Sequence, residues 1–403
     1  MKGEDKLLTA KLVSGEVISL GANYERLELQ KLRDKENFFC RSCSERVILK
    51  LGTKRIFHFA HEKGASCTEE FERESEYHMS GKLKLFQWLT DQGISAELEC
   101  YFPAIKQRAD IAFQFEGKTY CLEYQCSTIT EEILRKRTEG YRKSTLIPIW
   151  ILGGKNIDRK KRQKISLPSF QYLFLKENEY YHNYLPAFCP QTNKFIFVEN
   201  IIPISVRSAY CSFTIKDLVN ISISELLKPP IQPTQPINDW KKDILRFKRN
   251  YVANAASIQD PFLHELYSVS LPPYFIPPFV GIPLRLNYVV ETPPLIWQCY
   301  VFLEHFFEQE QGKLVTFHEV YTGVLKRVRS NQITLRSLPN INRNLLPFAI
   351  QEYLAVLVDT GFLKVVKNNS FVIDKPVKIA NNMEEQQREE VMFYQQFLKS
   401  INS

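Results

Sequence analysis

The sequence predicts an α+β protein in which a small N-terminal module precedes a sheet-and-helix core and a mainly helical C-terminal region. A cysteine and histidine cluster marks the module, the order α-β-β-β-α-β marks the core, and helical periodicity marks the last third of the chain. We expect a module over 1–66, a core over 67–154, a basic segment and proline-rich linker region over 155–237, and a helical domain over 238–403. We also expect the first 154 residues to fold without the rest, because they hold a complete module and a complete core.

The composition describes a folded, water-soluble chain. Of the 403 residues, 44% are hydrophobic and 24% are charged, which excludes an intrinsically disordered protein. The net charge of +8 is compatible with a polyanionic partner but does not require one. The first residues, "MKGEDKLLTAKLVSGEV", lack the apolar segment of a signal peptide, and no stretch is long and apolar enough to span a bilayer. We therefore expect a cytoplasmic protein with reduced cysteines.

Local patterns place the elements of the core. A helix is predicted over "EEFERESEYHMSGKLKLFQWLTD", followed by the strands "AELECYF", "ADIAFQF" and "TYCLEYQ". A second helix, "ITEEILRKRTEGYRK", has a capping-box start in which Thr128 precedes Glu131 by three residues. The strand "LIPIWIL" follows this helix, so it can run parallel to a neighbouring strand through a right-handed crossover.

Two acids stand on opposite arms of the hairpin formed by the second and third strands. If Glu116 and Gly117 form a two-residue turn, Asp110 faces Glu123, and Gln125 lies on the same face as Glu123. Opposed carboxylates destabilise a strand pair unless a proton or a divalent cation neutralises them. Oxygen ligands of this kind suit magnesium or manganese. The alternative is a hairpin whose alternating polar residues simply face solvent.

The two predicted helices add cationic groups beside this hairpin. His78 and Lys82 share one stripe of the first helix, and Arg137 and Tyr141 share one face of the second. Acids that hold a metal ion, with cations that stabilise an anionic transition state, suit the cleavage of phosphodiester bonds.

The N-terminal module contains a second candidate metal site. The motif "CRSC" gives Cys40 and Cys43 the spacing of a zinc knuckle, and "FHFAHEKGASC" adds two histidines and Cys67. His58 and His61 are three residues apart in a strand-like stretch, so they point to opposite faces and do not both bind. We favour Cys40, Cys43, His61 and Cys67 as ligands of a structural zinc ion, with His58 as the alternate to His61. The competing interpretation is a small core of reduced thiols.

Two features outside the core have open interpretations. The run "RKKRQK" at 159–164 is either a contact for a DNA backbone or a solvated face. The C-terminal stretch "AIQEYLAVLVDTGFLKVVKNNSFVID" predicts a helix followed by a hairpin that turns at Asn368 and Asn369, as at the end of a winged helix.

Together these motifs resemble the bacterial competence protein CoiA family. The resemblance is carried by "CRSC", "HFAH", "ESEYHMSGK", "QRADIAF", "LEYQCSTIT", "RTEGY" and "PIWILGG". The later stretches "PPFVGIP" and "WQCYVF" are similar to that family's helical C-terminal part. The resemblance implies a zinc-finger-like module and a restriction-endonuclease-like core of the PD-(D/E)xK type. It also implies a cytoplasmic protein of natural transformation that processes or recombines incoming single-stranded DNA, alongside other competence and recombination proteins.

Carried over residue by residue, the resemblance assigns the metal-binding acids of the nuclease motif to Asp110 and Glu123, with Mg²⁺ or Mn²⁺ as the ion. Gln125 occupies the position of the motif lysine, whose charge an amide cannot replace. Lys82 and Arg137 are the candidates for supplying that cation from a helix, and His78 is a further candidate catalytic residue. The alternative function is a catalytically inactive DNA-binding adapter that recruits recombination partners.

Overall fold

The computed structural model describes residues 6–22, 24–53, 55–62, 67, 75–231, 237–254 and 260–402. The N-terminal elements form a sheet of order β1-β6-β5-β4-β2-β3 with one helix packed against it. Their bounds are β1 Lys6–Leu7, β2 Thr9–Leu12, β3 Val17–Ser19, α1 Arg26–Lys35, β4 Phe38–Phe39, β5 Arg46–Lys50 and β6 His58–His61. Alternating apolar residues on the strands supply the core of this module, with Leu29 contributed by the helix.

The core follows in the predicted order of helix, three strands, helix and strand. The bounds are α2 Glu76–Asp91, β7 Ala96–Phe102, β8 Gln107–Phe115, β9 Lys118–Gln125, α3 Glu131–Lys143 and β10 Ile147–Gly153. The hairpin turns at Glu116 and Gly117, which both have positive φ angles of 49° and 70°, and Phe115 pairs with Lys118 as expected. Strand β10 runs parallel to β9, which confirms the crossover.

Both helices of the core begin at a different residue from the one that the sequence pattern predicted. Ser75 caps α2 by accepting a hydrogen bond from the backbone N–H of His78. The predicted helix began earlier, and its residues 69–74 lie outside the described part of the chain. The prediction of a capping box at Thr128 is wrong, because Thr130 caps α3 and accepts from Ile133. Threonines two residues apart offer the same hydroxyl, and Ile129 between them is buried in the hydrophobic core.

Residues 155–231 do not form a linker. They add strands to the sheet of the core, whose order is β11-β12-β16-β15-β14-β10-β9-β8-β7, with β13 paired to β14. The added elements are β11 Asp158–Lys161, β12 Lys164–Ser166, α4 Ser169–Tyr172, β13 Lys176–Glu177, β14 Asn183–Cys189, β15 Lys194–Pro203, β16 Ser208–Asp217 and α5 Ile223–Leu227. The basic run "RKKRQK" therefore lies on the hairpin of β11 and β12, at the edge of this sheet.

The C-terminal region is mainly helical, with a small sheet of order β17-β19-β18. Its bounds are α6 Ile237–Asn254, α7 Pro261–Ser268, α8 Pro294–His305, β17 Leu314–Thr316, α9 Phe317–Arg329, α10 Leu346–Asp359, β18 Leu363–Lys367, β19 Ser370–Ile373 and α11 Met383–Asn402. The hairpin turns at Asn368 and Asn369 as expected, and the run from α8 to β19 has the element order of a winged helix. None of the described helices is long and apolar enough to cross a membrane.

Two hydrophobic clusters cover the two faces of the large sheet. On the face of α2, Leu85 and Trp88 pack with Leu122 of β9 and Phe188 of β14. On the face of α3, Trp150 of β10 belongs to a cluster that continues into the C-terminal helices. Both clusters therefore cross the position 154 at which the sequence predicted a boundary.

We predict that a fragment of residues 1–154 does not fold, contrary to the expectation from sequence. Truncation there removes β14, which pairs with β10, and exposes both hydrophobic faces of the sheet. A fragment of residues 1–231 keeps every strand of the large sheet and is expected to fold with reduced stability. Circular dichroism and thermal unfolding of the two fragments and the full chain check this, and a cooperative transition from residues 1–154 would contradict it.

Candidate functional site

Three carboxylates lie at the same level on three neighbouring strands. The last paired residues of β8 and β9 are Ile111 and Leu122, and continuing this register by one residue sets Asp110 across from Glu123. The register of β7 with β8 places Glu99 opposite Asp110 on its other side. The strand pairing opens here, because the backbone N–H of Tyr124 donates to Oδ2 of Asp110 at 2.9 Å. A row of like charges at this position has to be neutralised by its surroundings.

Helix α2 brings two of the predicted residues to Asp110. Nε2 of His78 lies 3.4 Å from Oδ2 of Asp110, and Nζ of Lys82 lies 3.7 Å from Oδ1. The close approach of this helix to the sheet depends on Gly81, where an added Cβ would lie 2.0 Å from the ring of Tyr124. The stripe of His78 and Lys82 inferred from their spacing therefore faces the acid as expected.

Helix α3 brings the other predicted cation to Glu123. Arg137 and the hydroxyl of Tyr141, one turn apart, both donate to Oε1 of Glu123. Burial and the charge of Glu123 raise the pKa of Tyr141 well above its ordinary value, so the hydroxyl stays protonated and remains a donor. Lys82 and Arg137 thus serve different acids from opposite faces of the sheet.

Gln125 is buried at the end of β9, two residues beyond Glu123. Its amide Nε2 donates to the backbone oxygen of Ser127 at 3.2 Å and to the Ser127 hydroxyl at 3.1 Å. The amide therefore helps to hold the turn that leads from β9 towards α3.

The two acids of the hairpin have opposite electrostatic environments. Burial by itself would raise the pKa of Asp110, but the charges of His78 and Lys82 outweigh it and hold that pKa well below its usual range. Burial raises the pKa of Glu123, and the charge of Asp110 adds to the rise against the opposing effect of Arg137. Asp110 is thus firmly ionised, whereas Glu123 accepts a proton more readily than an ordinary glutamate.

Lys82 is completely buried and is paired with Glu99, which is also completely buried. Nζ of Lys82 donates to Oε1 of Glu99 at 2.7 Å. Burial would raise the pKa of Glu99, but the charges of Lys82 and Arg108 hold it below its usual value. Glu99 has a positive φ of 50°, a strained backbone for a residue with a side chain, which its surroundings must enforce.

The same glutamate connects the core to the N-terminal module. Oε2 of Glu99 accepts hydrogen bonds from the backbone N–H of Leu8 at 2.9 Å, and from the backbone N–H and hydroxyl of Thr9 at 3.1 and 3.2 Å. Arg41, between the two cysteines of "CRSC", donates to the backbone oxygens of Leu98 and Glu99. The N-terminal module therefore stabilises the position of Glu99 on β7, and Glu99 in turn is the ion-pair partner of Lys82.

The predicted cluster of cysteines and histidine comes together in the module. The ligand atoms of Cys40, Cys43, His61 and Cys67 all lie within 4.8 Å of one another. Three sulfurs and one imidazole nitrogen at this separation are the donor set of a tetrahedral structural zinc site. The cluster includes Cys67, so the module extends beyond the boundary expected at residue 66.

His58 does not belong to this cluster. It is buried on the other face of β6, where its Nδ1 lies 2.9 Å from the backbone oxygen of Ile56. His58 and His61 are three residues apart in a strand, so their side chains point to opposite faces, and only His61 joins the cysteines, as the sequence argument favoured. Burial would raise the pKa of the Cys40 thiol, but hydrogen bonds, first among them one with His61, lower it to about 7. A thiolate, the form that binds metal, is therefore accessible near neutral pH.

Comparison with known proteins decides the family. Models of the N-terminal, nuclease-like and C-terminal domains of competence protein CoiA match residues 21–70, 74–231 and 236–387. The chain belongs to the CoiA family. Competence protein CoiA of Bacillus subtilis (strain 168) is 29% identical over 359 residues, which cover 88% of this chain and 94% of that relative. No solved structure matches the chain.

The domain models of the CoiA family agree with the sheet. The nuclease-like model ends at residue 231 and so includes the strands β11 to β16, which the sequence had assigned to a linker region. The C-terminal model begins at residue 236, close to the start of α6.

Sequence reasoning found most of these side chains but missed Glu99. In "AELECYF" Glu97 and Glu99 share one face of the strand, and no local signal distinguishes the exposed glutamate from the buried one. The available signal was indirect. Lys82 lies between the apolar positions Met79 and Leu85 of α2, and a lysine buried there needs a carboxylate partner.

We predict that Glu99→Gln lowers the free energy of unfolding by about 3–5 kcal/mol, because it leaves the buried ammonium of Lys82 without its short ion pair. The double variant Lys82→Met with Glu99→Gln removes the buried charge and should recover more than half of that loss. Urea denaturation at neutral pH measures both. Glu97→Gln is the matched control on the same strand; its carboxylate is half exposed and pairs with Arg41, so about 1 kcal/mol or less is expected. A Glu99→Gln cost no larger than the control's would contradict the role of the pair.

We predict about one zinc ion per chain, held by Cys40, Cys43, His61 and Cys67. Elemental analysis of the purified protein should find the metal, and Cys43→Ser or His61→Ala should lower its content to a small fraction. His58→Asn, which keeps a donor to the oxygen of Ile56, is the control and should retain the metal. Zinc lost with His58 but kept without His61 would reverse the assignment.

Proposed function

We propose that this protein is a metal-dependent deoxyribonuclease that processes incoming DNA, single-stranded DNA first of all, during natural transformation. The observation that carries the proposal is the pair of Asp110 and Glu123, opposed at the open end of the β8–β9 pairing inside the nuclease-like domain. The Bacillus subtilis relative is named a competence protein, which supports the biological setting. Other competence and recombination proteins are its proposed partners.

The two carboxylates fit a magnesium or manganese ion. They are hard oxygen donors, one of them is firmly ionised, and the charge of Asp110 raises the pKa of Glu123, so a divalent cation would relieve their repulsion. Such an ion, when bound, activates a water molecule and shields the charge of the phosphate. Asp110 would be held for this purpose by the N–H of Tyr124 and by His78.

The exposures of the cations favour a division of labour among them. The side chain of Arg137 is 33% exposed, so part of it can meet an anionic phosphate from the solvent side, although its Nε is buried. Lys82 is completely buried and acts on Asp110, which His78 and Lys82 together keep ionised. Gln125, in the position of the motif lysine, can donate or accept a hydrogen bond but adds no charge.

A second candidate function is a DNA-binding adapter that keeps the nuclease fold and recruits recombination partners. The observation that favours it is the environment of Glu123. Its Oε1 already accepts hydrogen bonds from Arg137 and Tyr141, and burial raises its pKa. An acid neutralised by the protein itself needs no metal ion. The two functions differ in whether a divalent cation displaces those donors.

We predict that the protein cleaves labelled DNA in manganese, and that Asp110→Ala and Glu123→Ala each lower the rate by about a hundredfold or more. The reason is that several kcal/mol of charge stabilisation are lost with the metal ion. Gln125→Lys should leave cleavage intact or raise it, because it adds a cation next to the acids. Asp91→Ala, an exposed acid at the end of α2, is the control and should cleave like the wild type.

The cleavage assay uses single-stranded and duplex substrates with all five proteins. If the wild type and Gln125→Lys are both inert while DNA binding persists, the nuclease proposal fails and the adapter takes its place. Cleavage that survives both alanine substitutions would place the chemistry elsewhere.

A further inference from the structure

The hairpin of β11 and β12 presents a dense set of cations at the edge of the large sheet. Arg159, Lys160, Lys161 and Arg162 are all exposed, and Lys161 is paired directly with Lys164 across the two strands. Like charges in opposed positions destabilise a strand pair. The guanidinium of Arg159 lies 4.9 Å from the centre of the Phe213 ring, which fixes it on the sheet.

A row of cations on helix α6 continues this surface. Asp243 of α6 accepts from Lys164 of the hairpin and from the hydroxyl of Tyr210, and so holds the helix alongside β12. Arg246 lies 3.7 Å from the same carboxylate. Lys242, Arg246 and Arg249 are exposed and recur at the spacing that puts them on one helix face.

We call this continuous surface the basic edge. It comprises Arg159, Lys160, Lys161, Arg162, Lys164, Lys242, Arg246 and Arg249, together with the acids Asp158, Asp239 and Asp243. The eight cations exceed the three acids by five charges, so this surface accounts for more than half of the net charge of +8 of the whole chain. Among the described residues of this surface no aromatic side chain is exposed, so it offers charge without a platform for base stacking.

We propose that the basic edge binds the phosphate backbone of DNA, independently of sequence and away from the carboxylates. Clustered lysines and arginines bind nucleic acid by releasing the counterions of the phosphates, which needs no contact with the bases. The proposal rests on the proposed function only for the choice of DNA as the polyanion. Lysines on an edge strand also protect a sheet from aggregation, and this alternative is separated by the test.

The test measures binding of a fluorescently labelled 20-base-pair duplex and a 20-nucleotide single strand to the full-length protein over a series of salt concentrations, without added divalent ions. The variant Lys160→Gln, Lys161→Gln, Arg162→Gln and Arg246→Gln removes four cations but keeps Arg159 and Lys164, which have structural contacts. We expect its affinity at about 0.1 M salt to fall at least tenfold, and the slope of log K against log salt to become shallower by about 3–4.

The matched control removes four exposed lysines from the C-terminal hairpin and its flank, by Lys364→Gln, Lys367→Gln, Lys375→Gln and Lys378→Gln. It changes the net charge equally and should stay within about twofold of the wild type. Lys160→Arg with Lys161→Arg should retain full affinity. The proposal is overturned if the basic-edge variant binds like the wild type, if the control loses as much affinity, or if the variant only aggregates while its monomer binds normally.

The outcome is independent of catalysis. The binding assay contains no divalent ion, and β11 lies seven strand spacings from the β8 strand of Asp110, so cleavage does not enter the measurement. A shallower salt slope in the basic-edge variant of a protein that never cleaves DNA would refute the nuclease and keep this surface. A protein that cleaves DNA but shows no change in slope would refute this surface alone.

Discussion

The structure depends on how one buried ammonium group is neutralised. Lys82 has no exposed side-chain surface, and an unpaired charge in such a position would cost many kcal/mol. Its partners are Glu99 at 2.7 Å and Asp110 at 3.7 Å, on adjacent strands. This requirement fixes the distance between α2 and the sheet, and with it the position of His78. Together with the charge of His78, the ammonium of Lys82 also holds the pKa of Asp110 well below its usual range.

The same requirement explains why the N-terminal module and the nuclease-like domain are joined where they are. A carboxylate buried beside Lys82 has further lone pairs to satisfy, and Leu8 and Thr9 of the module supply the donors. Arg41 reaches the same strand from the loop that carries Cys40 and Cys43. A metal ion that stabilises this loop would therefore also stabilise the strand position on which Lys82 depends, without touching DNA.

Local sequence patterns were sufficient to predict the β8–β9 hairpin, but not the strands and side chains that pack around it. The turn at Glu116 and Gly117 and the register from Phe115–Lys118 to Ile111–Leu122 follow from turn chemistry and the two-residue period of strands. The insertion of β14 beside β10 does not, because a parallel partner is chosen by long-range packing that no short window contains. The role of Glu99 could not be predicted for a related reason, because its burial depends on residues about 90 positions away in the sequence.

In the proposed function, the placement of the cations separates DNA binding from cleavage. Across the sheet order the basic edge on β11 is six strand spacings from β9, or about 29 Å at the usual separation of strands. A dense set of cations like the basic edge, placed at the carboxylates, would repel a divalent ion, far more than one added lysine would. At the distance of about six strands, solvent and salt screen the basic edge from the carboxylates. Beside the acids, the structure instead has cations that are already paired with carboxylates, Lys82 with Glu99 and Asp110, and Arg137 with Glu123. Gln125 is neutral at the end of β9, and the positive charges nearest to the acids lie instead on the two helices, on Lys82 and Arg137.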